Sequence, residues 1–176
     1  MSTKYGTFSG KLLRAVGEAT GFFTWPPETS PYTSYKYLKG LSKKKIYDDI
    51  YRLKKQGLLR VRTEHGKKFI ELTKKGELEI LLIKAREDMQ VSDWDGKWRL
   101  AIFDIPEDAR DRRDKLRHLL KQNGFVKWQA SVFISPYALN RSAIDYLKQT
   151  SLMGFIHFAR IDELDDDKEL KKKFKL

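Results

Sequence analysis

The sequence contains no cysteine among its 176 residues. A disulfide framework and thiolate chemistry are therefore excluded. Histidine is scarce, and His65, His118 and His157 are too far apart to give the spacing of a zinc site. The longest strongly apolar run covers only residues 80–83, and the N-terminus lacks the apolar segment of a signal peptide. We expect a cytoplasmic protein without a membrane partner.

Acidic side chains are scarce in one segment, although the rest of the chain carries both acidic and basic residues. The formal net charge is +12, and residues 36–68 carry 12 basic side chains against 3 acidic ones. A local excess of cations of this size favours a polyanionic partner such as nucleic acid.

The first half of the chain has the pattern of a winged helix-turn-helix. Leu12, Leu13, Val16 and Ala19 recur at helical spacing, and a short helix is expected over residues 32–40. A second helix follows, which Ser42 can cap and which ends at Gly57. Residues 58–72 then form two β-prone runs around a turn, in the position of a wing, and another helix follows. We expect residues 1–88 to be the DNA-binding domain.

In a helix-turn-helix the second helix lies in the major groove of the DNA. The candidate DNA-binding residues of this helix and of the wing are Lys43, Lys44, Lys45, Tyr47, Tyr51, Lys55, Arg60, Arg62, His65, Lys67 and Lys68. Tyr47 and Lys44 are the best candidates for base edges, and the other cations for phosphates. Two alternatives stay open. Lysine runs are often solvated helix faces, and the two tyrosines could instead pack against the first helix.

The second half has a different pattern. Residues 89–97 are polar and aperiodic, which is typical of a linker. Residues 98–176 then follow the order strand, helix, strand, strand, helix, strand, which is the ferredoxin-like split motif, with a charged terminal helix. The expected fold class is therefore α+β, with a winged helix-turn-helix followed by a ferredoxin-like βαββαβ domain.

Three segments of the second half carry a resemblance to known families. WRLAIFDIPED, RDRRDKLRHLLKQNGF and QASVFISP occur in this order. They resemble the small CRISPR-associated adaptation endonucleases of the Cas-two type and the central domain of PaaX-type transcriptional repressors, in which this fold follows a winged helix. The resemblance covers about residues 36–161. It implies a ferredoxin-like unit that forms a homodimer.

Asp104 follows the first strand of that unit and has two interpretations. The resemblance to the adaptation endonucleases implies a catalytic Mg²⁺ ligand, one from each copy of a dimer. The sequence context itself favours a structural role, because an aspartate before Ile105-Pro106 readily forms an Asx-turn or caps a helix.

These observations predict a homodimeric regulator of transcription that binds double-stranded DNA in a sequence-specific manner and without a cofactor. The PaaX resemblance implies that it is a repressor. Two alternatives remain. One is a Mg²⁺-dependent nuclease that uses Asp104, and the other is a structural DNA-binding partner of an integrase.

Overall fold

The computed structural model describes residues 8–18, 22–25, 42–87 and 93–176. The chain divides into two compact units, Met1–Ile83 and Lys84–Leu176. The predicted helix over residues 32–40 and the predicted core residue Ala19 lie outside the described residues. None of the described helices is long and apolar enough to cross a lipid bilayer.

Among its described residues, the first unit contains three helices and a three-stranded antiparallel sheet. The elements are α1 (Phe8–Glu18), β1 (Phe22–Trp25), α2 (Lys43–Lys55), β2 (Leu59–Glu64), β3 (Lys67–Leu72) and α3 (Lys74–Glu87). The sheet order is β1-β3-β2. The division between the two units falls within α3.

One apolar core joins the elements of the first unit. The buried side chains are Leu12, Leu13, Ala15 and Val16 from α1, Ile50 and Leu53 from α2, Leu58, Leu59 and Ile70 from the sheet region, and Ile80 and Ile83 from α3. Ile46 packs against the edge of this core. The predicted apolar stripes of α1 and α2 therefore do face the interior, which fixes the outward face of α2.

The second unit has the predicted βαββαβ order. Its elements are β4 (Trp98–Phe103), α4 (Arg110–Gln122), β5 (Val126–Gln129), β6 (Val132–Ser135), α5 (Arg141–Gln149), β7 (Ile156–Ile161) and a terminal helix α6 (Lys168–Phe174). All strand pairs are antiparallel, and the sheet order β5-β6-β4-β7 is that of a ferredoxin-like fold. The predicted fold class of this unit is confirmed.

The two faces of this sheet are covered differently. Arg117 of α4 lies 6.0 Å from the ring centre of Phe103, so α4 covers the face that carries Phe103. On the other face Trp98, Leu100 and Ile134 are buried beneath Leu170 and Phe174 of α6. The rings of Trp98 and Phe174 are 5.8 Å apart, and the Trp98 indole N–H donates to Asp167. The terminal helix therefore completes the core of the second unit.

Candidate nucleic-acid interface

Helix α2 begins where the sequence predicts. The Ser42 side chain accepts a hydrogen bond from the Lys45 backbone N–H at 3.4 Å and so caps the helix. With Ile46, Ile50 and Leu53 turned toward the core, the opposite face must meet solvent.

An exposed stripe runs along this opposite face of α2. Lys44, Asp48, Tyr51 and Lys55 follow one another at intervals of four, three and four residues, and all four are exposed. Residues at such intervals lie one above another on a helix. Tyr51 is 70% exposed, so the alternative in which it packs against the first helix is wrong. Tyr47 is only half-buried beside this stripe.

Strands β2 and β3 form the predicted hairpin. His65 and Gly66 make a two-residue turn with positive φ at both positions, +49° and +74°. This is the geometry of the type I′ turn, which matches the twist of a hairpin. The pairing runs from Leu59 opposite Leu72 to Glu64 opposite Lys67.

The register of this hairpin divides its cations between two faces. Directly paired residues share a face, so the buried pair of Val61 and Ile70 places the Thr63 and Lys68 pair on the core side. Lys68 lies on the side that faces α2. By the same alternation Arg60 and Arg62 lie on the outer face.

A cleft of about 490 Å³ lies between α2 and the core side of the hairpin. Its lining combines aromatic, apolar and cationic side chains, namely Tyr47, Asp48, Ile50, Tyr51, Lys54, Val61 and Lys68. The structure thus brings together the predicted residues Tyr47, Tyr51 and Lys68. It adds two residues that the sequence interpretation did not select, Asp48 and Lys54.

The two arginines on the outer face form a different cluster. Glu71 accepts from Arg60 Nε at 3.0 Å and from Arg62 Nε at 2.5 Å, and Glu64 lies 2.9 Å from Arg62 Nη1. The Arg62 guanidinium also lies 5.8 Å from the ring centre of Phe69. Part of the positive charge predicted for the wing is therefore balanced within the hairpin.

The remaining predicted cations are distributed along the same two elements. Lys45 and Lys55 of α2 and His65 and Lys67 of the hairpin are exposed. The side chain of Lys43 lies outside the described residues. The exposed residues of α2 and the cleft beside it form the surface that we call the α2 face.

Asp104 lies in the second unit, just after β4. It is exposed, and its backbone N–H donates to the Phe155 carbonyl at 3.0 Å. The predicted helix cap is wrong, because Pro106 and Ala109 occupy the two N-cap positions that follow, and neither makes a side-chain capping bond. Arg113 instead holds this loop by donating to the carbonyls of Ile105 and Pro106.

Asp104 belongs to no cluster of metal-ligand side chains among the described residues. Among the described residues, the structure contains no group of three or more histidine, aspartate or glutamate side chains that could hold a metal ion. Asp104 would therefore hold Mg²⁺ only as one carboxylate among water and phosphate oxygens, which is how this ion is often bound in proteins.

Comparison with protein families assigns the second unit. Residues 91–172 match the model of a family described as the PaaX protein central Cas2-like domain. The second unit is a PaaX-type, Cas2-like domain. The match confirms the resemblance predicted from the sequence, and the sheet order of this unit agrees with it. A search of curated proteins finds no match to the chain.

The region that matches the PaaX family model does not include the α2 face. It covers the ferredoxin-like unit, whereas the exposed stripe of α2 and the hairpin precede residue 91. The function of the α2 face must therefore be argued from its own residues.

Proposed function

We propose that this PaaX-type protein is a sequence-specific, double-stranded DNA-binding regulator of transcription that acts as a homodimeric repressor. The observation that carries the proposal is the α2 face. Exposed Lys44, Tyr51 and Lys55 on a solvent-facing helix lie beside a hairpin that contributes Lys68 to the same cleft. This arrangement supports a recognition helix and a wing.

The arrangement of elements in the first unit supports a winged helix. Helix α2 is held on its inner face by α1 and α3 through a shared core, and the β2–β3 hairpin follows directly. The capped N-terminal end of α2 carries the lysines, and in a recognition helix this end approaches the base edges. The proposed role of Lys44 and Tyr47 is base contact, and that of Lys45, Lys54, Lys55, Lys67 and Lys68 is phosphate contact.

The proposed homodimer uses the second unit. Three of its large apolar side chains remain 40–42% exposed on the sheet, namely Ile102, Trp128 and Phe158. Trp128 and Phe158 belong to the two edge strands, β5 and β7, and an edge strand of an antiparallel sheet can pair with a strand of another chain. A dimer with two-fold symmetry would read a palindromic site whose half-sites lie about one helical turn, or a multiple of it, apart.

A nuclease is the second candidate, and the exposure of Asp104 at the end of β4 in a Cas2-like domain favours it. The described residues of one chain offer no group of three or more such ligands, and Asp104 from each copy of a dimer would supply a pair of carboxylates. In that case Asp104 would hold Mg²⁺, and the ion would activate water for phosphodiester hydrolysis.

One experiment separates these functions. The purified protein is incubated with fragmented genomic DNA in EDTA, then with Mg²⁺ or Mn²⁺, and both bound and cut fragments are sequenced. The regulator predicts a few enriched palindromic sites and no cutting. Metal-dependent cutting that is lost in Asp104→Ala would establish the nuclease, and sequence-independent retention would indicate a structural DNA-binding partner of an integrase.

The α2 face is tested in the same assay with the double variant Lys43→Ala/Lys44→Ala. Removing two cations from the N-terminal end of α2 should weaken binding and reduce the slope of log affinity against log salt by up to about 2. The control is Lys121→Ala/Lys148→Ala, which removes two exposed cations of the second unit. Equal slopes for both double variants would contradict the assignment of α2.

A further inference from the structure

Asp48 lies in the middle of the α2 face. It occupies the stripe between Lys44 and Tyr51, is exposed, and lines the cleft beside the hairpin. In contrast, its neighbour Asp49 is buried and forms an ion pair with Arg52. The two adjacent carboxylates therefore have different roles. Asp49 belongs to the structural framework of α2, whereas Asp48 points away from it.

The Asp48 carboxylate has no ion pair or hydrogen bond among the side chains that the structure describes. The exposed carboxylates of the hairpin and of α3 are paired, Glu64 with Arg62 and Glu77 with Lys74. A carboxylate on a surface suited to phosphates repels the DNA backbone, which lowers the affinity for every sequence alike. Its position is favourable only where it meets a hydrogen-bond donor of the DNA.

The major groove offers such donors only on base edges. Cytosine presents its N4 amino group there, adenine presents an amino group next to the N7 acceptor, and guanine and thymine present acceptors on their own edges. Because a carboxylate accepts hydrogen bonds and donates none, the N7 atom beside the adenine amino group repels it. Cytosine is therefore the base edge that fits an ionised aspartate best.

We propose that Asp48 is a specificity-determining residue whose carboxylate accepts a hydrogen bond from the N4 amino group of a cytosine in the major groove. The inference rests on the proposed function, because it requires that α2 enters that groove. Asp48 makes binding conditional on one base, and the surrounding lysines supply affinity that does not depend on sequence. Lys44 lies one helical turn before Asp48 on the same face of α2, so the two side chains would enter the same groove.

The test is selection of bound sites from a randomised duplex library by four proteins: the wild type, Asp48→Ala, Asp48→Asn and Glu77→Gln. The wild type should prefer cytosine roughly tenfold at one position of each half-site. Asp48→Ala should lose that preference at this position alone. Asp48→Asn should shift it to adenine, whose N6 and N7 atoms pair with a carboxamide. Glu77→Gln removes the same charge from the same unit and should leave every preference unchanged.

The outcomes separate the two proposals. If the wild type selects a site and Asp48→Ala selects the same site with every preference intact, the role of Asp48 in specificity is refuted and the DNA-binding function stands. An equal gain of affinity for all sequences in Asp48→Ala would refute it in the same way, since Asp48 would then only weaken backbone binding. If the wild type enriches no sequence, the proposed function itself fails. Circular dichroism of each variant confirms that the fold is retained.

Discussion

Arg99 holds Asp95 through two parallel hydrogen bonds, from Nη1 to Oδ1 at 2.6 Å and from Nη2 to Oδ2 at 2.5 Å. The same guanidinium also donates to the carbonyls of Lys97 and Pro136. Arg99 thereby joins the segment before β4 to the end of β6. The hydrogen bonds from Arg99, together with one from the Lys97 backbone N–H, lower the pKa of Asp95 from 3.8 to about 2.

The first prediction concerns the acid stability of the second unit. The pKa of Asp95 is depressed in the fold, so its contribution is present above about pH 4 and is lost as the pH falls toward 2. Asp95→Asn should lower the urea midpoint at pH 7, and the difference from the wild type should disappear between pH 4 and 2. Urea denaturation across this pH range, with Asp93→Asn as the charge-matched control, measures it. A constant difference at all pH values would contradict the assignment.

The second prediction compares the two faces of the hairpin. Lys54 and Lys68 line the cleft of the α2 face, whereas Arg60 and Arg62 are paired with Glu71 on the outer face. Lys54→Ala/Lys68→Ala should therefore weaken duplex binding more than Arg60→Ala/Arg62→Ala does. It should reduce the slope of log affinity against log salt by about 2. Arg60→Ala/Arg62→Ala removes the same charge and should change the slope by about half as much or less. Fluorescence anisotropy at several salt concentrations measures the duplex affinity of both variants. A larger loss of affinity in the arginine variant would place the DNA on the outer face of the hairpin.

The third prediction concerns the packing of α3 in the first unit. A Cβ atom added to Gly76 would lie 2.2 Å from the backbone oxygen of Leu58. Because the contact is with backbone, Gly76→Ala should destabilise this unit by at least about 2 kcal/mol. Gly10→Ala in α1 is the matched control, since nothing lies within 4 Å of the added atom, and it should stabilise by about 0.5 kcal/mol. Thermal unfolding measures the melting temperatures of both variants. Equal melting temperatures would show that α3 leaves room for a Cβ atom beside the Leu58 backbone oxygen.

The fourth prediction concerns self-association through the second unit. Trp128→Ser/Phe158→Ser removes two large side chains that are each 42% exposed. If a second copy covers them, the dimer dissociation constant should rise about tenfold or more, because buried aromatic residues often dominate interfaces. Light scattering coupled to gel filtration measures this, with Leu176→Ser as a control at 41% exposure outside the sheet. A dimer that persists unchanged would place the interface elsewhere.

Local signals in the sequence predicted much of the fold. Ser42 caps α2 as expected, because its hydroxyl oxygen can accept a hydrogen bond from a free backbone N–H of the first helical turn. Asn140 caps α5 in the same way. The turn at His65-Gly66 and the βαββαβ order are confirmed in the same way. Strand β1 was missed, because four residues before two prolines give too short a pattern to recognise.

The candidate site was harder to predict than the fold, because it depends on register and on pairing. Composition identified Arg60, Arg62 and Lys68 equally as cations, but only the strand pairing places Lys68 toward α2 and the arginines beside Glu71. Asp48 was overlooked since it is an acid in a basic segment. The periodicity of α2 carried the missing information, because Asp48 is four residues after Lys44 and three before Tyr51.

Thr73 joins the end of α2, the base of the hairpin and the start of α3. Its hydroxyl donates to the Gly57 carbonyl at 2.6 Å and accepts from the Gly76 N–H at 3.1 Å, while its backbone N–H donates to Leu58. The helix end and the hairpin base are thus fixed to one another before any ligand arrives. A surface organised in advance loses little conformational freedom when it binds, so more of its contact energy appears as affinity.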